Sequence, residues 1–119
     1  MSDDHVAALR ELVAYRLPVD GTLAKLAAFG WDAPAPLFTL TTADVLQVLQ
    51  RFLTGELSAE QVTDWADLIE CREDIALPRL PLDLSQVIFR LANPNLQGPV
   101  THALATELQD RLAGSGGAV

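Results

Sequence analysis

Acidic side chains are concentrated between residues 56 and 74, where the one basic residue is Arg72. A helix advances by about 100° per residue, so carboxylates at positions 60, 64, 67 and 74 would fall within an arc of roughly 80°. Clustered carboxylates of this kind attract a basic protein surface. The sequence therefore predicts partner-binding residues at Glu56, Glu60, Asp64, Asp67, Glu70 and Asp74.

Two interpretations of this acidic segment stay open at the level of sequence. It could be the solvated face of an ordinary amphipathic helix, which is the usual reason for a run of charge in a globular protein. It could also be a docking surface, because like charges four residues apart destabilise a helix by a few tenths of a kcal/mol and lysines would have removed that penalty. A calcium site is disfavoured, since neighbouring side chains on one helix face supply too few converging oxygens.

The remaining reactive residue types do not form a catalytic or metal-binding pattern. Cys71 would need a neighbouring base to act as a nucleophile, and the two histidines are His5, near the N-terminus, and His102. One cysteine and two isolated histidines lack the spacing of a metal site, and no phosphate-binding or dinucleotide-binding glycine motif is present. We therefore expect a protein that is not an enzyme and has no cofactor or metal.

Composition narrows the partners that this chain could bind. The 119 residues carry a formal net charge of −8, which opposes binding to nucleic acid and favours a basic protein partner. No run approaches the ~18 uncharged apolar residues of a membrane span, and the acidic start is unlike a secretory signal. A cytoplasmic protein that does not bind membranes is expected, and a mean hydropathy of +0.22 leaves a homodimer possible.

The acidic segment is positioned by two predicted helices and the turn between them. Thr41 with Asp44, and Ser58 with Gln61, match the capping box that starts a helix. Gly55 suits the left-handed conformation that ends the first of these helices. The second carries an apolar stripe at i, i+3, i+4 and i+7 that should face the core, namely Val62, Trp65, Ala66 and Ile69.

The chain before this pair predicts two helices and a connector. Residues Val6, Leu9, Val13 and Leu17 repeat on one face of a first helix, which Pro18 should stop. Thr22 could cap a short second helix ending at Gly30. Residues 31–36 contain two prolines and predict an extended connector. Trp31 in this connector is either a plug over the core, which we prefer, or an exposed anchor of the kind that interfaces favour.

The chain after the acidic segment predicts two more helices. Residues 75–82 are apolar but contain two prolines, which indicates an extended crossing segment rather than a central strand. Asp83 with Gln86 starts a helix that stops at Asn93 and Pro94. Thr101 caps the last helix, whose buried stripe should be Leu104, Leu108 and Leu112.

Together these patterns predict an all-α fold, a single-domain bundle of five to six short helices with Pro-rich connectors. The helical domain should span residues 1–113, and the glycine-rich residues 114–119 should form a flexible tail. The residues favour a non-enzymatic protein-binding module. The alternative is a structural or self-associating helical protein, a homodimer.

Residues 40–44, residues 52–61 and Trp65 together resemble a hinge found in small helical bacterial immunity proteins of the colicin D immunity-like type. The turn at residues 91–94 resembles uncharacterised bacterial helical proteins that share this hinge. The resemblance covers about a third of the chain. It implies an acidic protein that neutralises a basic nuclease toxin by covering its active site, with no catalysis of its own.

Overall fold

Helices dominate the computed structural model, which describes residues 3–29, 35–79 and 83–117. Two short strands accompany them. This architecture confirms the all-α prediction, although seven helices form in the described ranges where five to six were expected. The helices are α1 (Asp3–Ala14), α2 (Asp20–Ala27), α3 (Thr42–Leu53), α4 (Ala59–Glu70), α5 (Leu84–Ala92), α6 (Pro94–Gln97) and α7 (His102–Gly117). The strands are β1 (Phe38–Thr39) and β2 (Ile75–Ala76), and they pair in parallel.

The first helix ends earlier than its proline predicts. Tyr15 leaves the helix with a φ of 52°, and side chains from distant helices bond the last carbonyls of α1. Trp65 Nε1 donates to the Val13 carbonyl at 3.0 Å, and Arg51 Nη1 donates to those of residues 14 and 15 at 2.8 and 3.1 Å. These bonds satisfy acceptors that a helix end leaves open. The prediction that Leu17 belongs to the apolar stripe is wrong, because this residue lies beyond α1 and is 44% exposed.

The second helix begins at Asp20 rather than after Thr22. Val19 occupies the position before the helix, and it makes no side-chain cap. The predicted cap at Thr22 is therefore wrong: this residue lies inside α2, is buried, and donates its hydroxyl to Glu11 at 3.2 Å. The predicted end at Gly30, the plug role of Trp31 and most of the 31–36 connector fall outside the described residues.

The capping boxes, the turn glycine and the apolar stripe predicted for α3 and α4 are all confirmed. Both capping boxes form, with Thr41 and Ser58 accepting bonds from the backbone NH groups three residues later. Gly55 has a φ of +87°, as the predicted turn requires. The stripe predicted for α4 is buried throughout, and Trp65 has no exposed surface.

The C-terminal helices also begin at their predicted caps. Asp83 accepts bonds from two backbone NH groups at the start of α5, and Thr101 Oγ1 accepts from Leu104 N at 3.1 Å. The predicted turn after Asn93 contains the short helix α6, with Pro94 in its first turn. The predicted tail boundary at residue 113 needs correction, because the backbone of α7 stays helical to Gly117.

One hydrophobic cluster joins these elements. It draws buried side chains from α1 to α5 and from α7. Helix α4 packs mainly against α5, α3 against α7, and α1 against α2. In this arrangement α4 presents its apolar stripe to the core and its acidic residues to solvent.

Candidate functional site

The candidate site is the solvent-facing side of α4, which we call the acidic face and define as Glu60, Asp64, Asp67 and Glu70. All four residues are exposed. The Ser58 capping box starts the helix, and the buried stripe opposite the acidic face holds it against the core. The carboxylates therefore stand on a firmly anchored helix rather than on a loop.

The acidic face has no counter-charge of its own within the described part of the chain. None of its four carboxylates forms an ion pair or a side-chain hydrogen bond with a described residue. Several other carboxylates do have such partners. Glu11 pairs with Lys25 and Glu107 with Arg111, while Asp44 and Asp83 cap helices.

Glu56 belongs to the same neighbourhood but is paired. Its carboxylate bonds Arg51 Nε, and its backbone NH donates to the Arg51 carbonyl at 2.8 Å. The same guanidinium bonds the end of α1, so its position is determined by two helices. Glu56 therefore contributes less free negative charge than the residues of the acidic face.

The acidic face affects two nearby titratable groups. Burial raises the pKa of Tyr15, and the charge of Asp64 raises it further while Arg51 opposes the shift. Burial also raises the pKa of the Cys71 thiol, with smaller contributions from the charges of Asp67 and Glu70. A thiol whose pKa is raised is less often the reactive thiolate at neutral pH, so these surroundings make Cys71 a poor nucleophile.

The assignment of Asp74 to this surface is wrong. Helix α4 ends at Glu70, and Asp74 lies beyond it with no exposed surface. Arg72 donates from Nε to Asp74 Oδ1 and from Nη2 to Oδ2, each at 2.8 Å, and His5 Nε2 lies 2.8 Å from Oδ2. Burial alone raises the pKa of Asp74, but the bonds from Arg72 and His5 outweigh it and lower the pKa below its ordinary value.

The buried contact of His5, Arg72 and Asp74 was not predicted from the sequence, in which His5 stood near an N-terminus expected to fray. His5 also stacks on Phe29, with ring centroids 4.4 Å apart. A signal was available, because His5 precedes Leu9 by four residues and Leu12 by seven, on the buried side of α1. The Asp74 carbonyl accepts bonds from Leu37 N and Phe38 N, so this contact also positions β1.

One groove on the described surface lies away from the acidic face. It has a volume of about 380 Å³ and runs between α1 and α2. Its lining includes Ala7, Ala8 and Ala28, together with Phe29 and the Glu11–Lys25 pair. No residue of α4 borders it, so the groove and the acidic face are separate features.

Comparison with other proteins adds no assignment. No protein-family model matches this chain, and no curated protein or solved structure matches it. The resemblance to immunity proteins therefore stays a prediction. Within the ranges that the structure describes, no group of three or more potential ligands could hold a metal ion, and no helix is long and apolar enough to span a bilayer.

Proposed function

We propose that this protein is a non-enzymatic protein-binding module that binds a basic partner through the acidic face of α4. The observation that carries the proposal is the set of four exposed carboxylates on one anchored helix, none paired with a described residue. Complementary charge of this kind steers a basic partner and speeds association.

The energetics of α4 support a binding role. Glu60 and Asp64 are four residues apart, Asp67 follows Asp64 by three, and such neighbours repel each other by a few tenths of a kcal/mol. Lysine or arginine side chains from a partner would replace that repulsion with attraction. A basic partner would therefore supply the positive charges that the α4 carboxylates lack among the described residues.

The resemblance to immunity proteins specifies the kind of partner that we propose. It suggests that the partner is a basic toxin and that binding inhibits the toxin by covering its active site. The acidic face supports this form of the proposal through its charge. A protein of this kind needs no catalytic group.

A charge-reversal variant with a matched control tests the acidic face. Glu60→Lys, Asp64→Lys and Asp67→Lys together add six charges and change the net charge from −8 to −2. Asp4→Lys, Glu107→Lys and Asp110→Lys make the same change at exposed sites outside α4. Because all six residues are exposed, we expect both variants to fold, as circular dichroism and chemical denaturation would show.

The binding measurement uses affinity capture from the source cells, followed by titration of the purified partner. We expect the native protein and the control variant to capture the same basic protein at low salt and to release it at high salt. The α4 variant should fail to bind it. An acidic partner, salt-independent binding or unchanged affinity of the α4 variant would refute the proposal.

Self-association is the second candidate function. Leu96 on α6 is 74% exposed and Phe89 on α5 is 37% exposed, so a second copy could bury apolar surface there. Sedimentation velocity at tens of micromolar distinguishes the two functions. A dimer that Leu96→Ser dissociates would support self-association, and a monomer would remove it.

A further inference from the structure

A second groove lies between α2 and α4, and we call it the α2–α4 groove. Its described lining comprises Leu23, Leu26 and Ala27 on α2, Leu68 on α4, and Arg72 just beyond α4, and its volume is about 160 Å³. Leu26 is buried, Leu23 and Leu68 are half-buried, and Ala27 is exposed. The groove is therefore open to solvent, and apolar side chains of both helices form the walls that a partner can reach.

Neither helix uses this side for its main packing. Helix α2 packs mainly against α1, and α4 packs mainly against α5. The sides that α2 and α4 turn toward each other therefore stay partly uncovered. Burying the remaining apolar surface of Leu23 and Leu68 under a partner would stabilise a complex.

The size of the groove suits one aromatic ring. An apolar cavity of roughly 150 Å³ is large enough to hold benzene, whereas sites for drug-sized ligands usually measure roughly 300–1,000 Å³. The volume of about 160 Å³ therefore matches the ring of a phenylalanine side chain better than a larger molecule.

Exposed carboxylates flank the groove on both helices. Asp64 of the acidic face precedes Leu68 by four residues, so the two lie on the same side of α4. Asp20 precedes Leu23 by three residues, which places both on one side of α2. Neither aspartate forms an ion pair with a described residue. A partner that approaches the groove therefore meets negative charge from both sides.

Basic residues on the neighbouring elements do not cancel this negative charge, because each is matched by a carboxylate of its own. Arg72 in the lining is buried and bonded to Asp74. The other basic residues that are matched in this way form the pairs Lys25–Glu11 and Arg51–Glu56.

We propose that the α2–α4 groove receives a phenylalanine ring of the basic partner, and that a lysine or arginine one helical turn from that ring meets Asp64. This inference rests on the function proposed for the acidic face, and it adds the apolar contact at that interface. Protein interfaces commonly join an apolar centre to a polar rim. The charges speed association, and the ring in its pocket holds the complex together.

Synthetic helical peptides test the groove in the native protein. The first peptide carries a phenylalanine with a lysine one helical turn to either side, the second replaces the phenylalanine by serine, and the third replaces the lysines by glutamates. NMR of leucine methyl groups follows binding, with Leu23 and Leu68 as the reporters. We expect saturable shifts of both with the first peptide, about tenfold weaker binding of the second, and no binding of the third. Unshifted Leu23 and Leu68 methyls, or equal affinities of the first two peptides, would overturn the proposal.

Two alanine variants on α2 then locate the ring. Ala27→Gln puts a longer polar side chain in the lining of the groove and should weaken binding of the phenylalanine peptide at least about fivefold. Ala24→Gln makes the same change at an exposed position of α2 outside the lining, and it should leave the affinity unchanged. Alanine and glutamine both favour helices, so we expect both variants to fold, as circular dichroism would show. Equal affinities of folded Ala27→Gln and Ala24→Gln would place the ring elsewhere and refute the assignment.

The variant with three lysines on α4 separates this inference from the proposed function. If the acidic face acts as proposed, this variant loses binding of both lysine peptides. That loss, together with equal affinities of the phenylalanine and serine peptides for the native protein, would overturn the groove alone. Unchanged binding by the α4 variant would instead overturn the role of the acidic face, and the inference that rests on it.

Discussion

At the scale of single residues, Asp74 is predicted from the sequence to be an exposed binding residue, but the structure buries it. Glu73, which precedes it, is exposed, but the Asp74 carboxylate is buried and bonded to Arg72 and His5. Removing a charge from water is costly, so a buried pair persists only when its hydrogen bonds are well formed. The two-pronged contact with Arg72 meets that condition, and His5 adds a bond from α1.

Asp74→Asn should therefore destabilise the protein strongly. The substitution removes the buried negative charge that Arg72 and His5 contact, and breaking a buried pair in this way typically costs about 3–5 kcal/mol. Chemical denaturation at neutral pH measures the loss. Asp67→Asn, on the exposed face of α4, is the matched control and should change the free energy of unfolding by less than about 0.5 kcal/mol. Similar effects of the two substitutions would show that Asp74 is not buried.

The Asp74 carboxylate should also make the stability of the protein depend on pH. Its folded pKa is lowered from the ordinary value of 3.8, so its stabilising contribution is present above that value and is lost as the pH falls through the folded pKa. Denaturation midpoints of the native protein should therefore drop on acidification below 3.8. Folded Asp74→Asn lacks this titrating group and should show a shallower drop, and parallel profiles would contradict the assigned contact.

At the scale of elements, the turn between α3 and α4 positions the acidic face. Gly55 holds a φ of +87°, and Ser58 then caps α4. A Cβ atom added to Gly55 would meet no atom within 4 Å, so crowding is not the reason for a glycine at this position. The positive φ explains it, because residues with a Cβ are strained there.

Two glycine substitutions separate backbone strain from crowding. Gly55→Ala should lower the free energy of unfolding by about 1–2 kcal/mol, the penalty of the left-handed conformation. Gly21 lies in α2 with equally open space around it and without a positive φ. Gly21→Ala should instead stabilise the protein by up to about 1 kcal/mol, because it restricts the unfolded chain. Chemical denaturation of both variants checks the signs, and the same sign in both would mean that φ is not the cause.

At the scale of the whole molecule, excess negative charge acts against compactness. The formal charge of −8 is contained in a fold with a radius of gyration of 14.0 Å. The screening length is about 30 Å at 0.01 M salt and about 8 Å at 0.15 M, so repulsion spans the molecule only at low salt. Self-repulsion of this kind destabilises a compact state.

Added salt should therefore stabilise the native protein. We expect the thermal midpoint to rise when sodium chloride is increased from about 10 mM to about 150 mM, because repulsion becomes screened. The variant with three lysines on α4 has a net charge of −2 and should show a smaller rise. Scanning calorimetry at both salt concentrations measures the difference, and an equal rise in the two proteins would show that α4 does not contribute to the repulsion.

The sequence by itself determined where several helices start and which faces they bury. Thr41, Ser58, Asp83 and Thr101 each cap a helix as predicted. These predictions succeed because a cap bonds a backbone group two or three residues away, and an apolar stripe repeats every three or four residues. The row of carboxylates on α4 was predictable for the same reason, since residues within one helix have a known angular spacing.

The tertiary structure alone decided the features that join distant parts of the chain. Arg51 and Trp65 bond the end of α1 from α3 and α4, where the sequence indicated a stop at Pro18. His5 meets Asp74 across 69 positions. A local pattern records which face of a helix is apolar, but the partner of that face depends on how all the helices pack together. Burial of Asp74 follows from that packing, and it removes one predicted residue from the acidic face while the other exposed carboxylates of α4 remain.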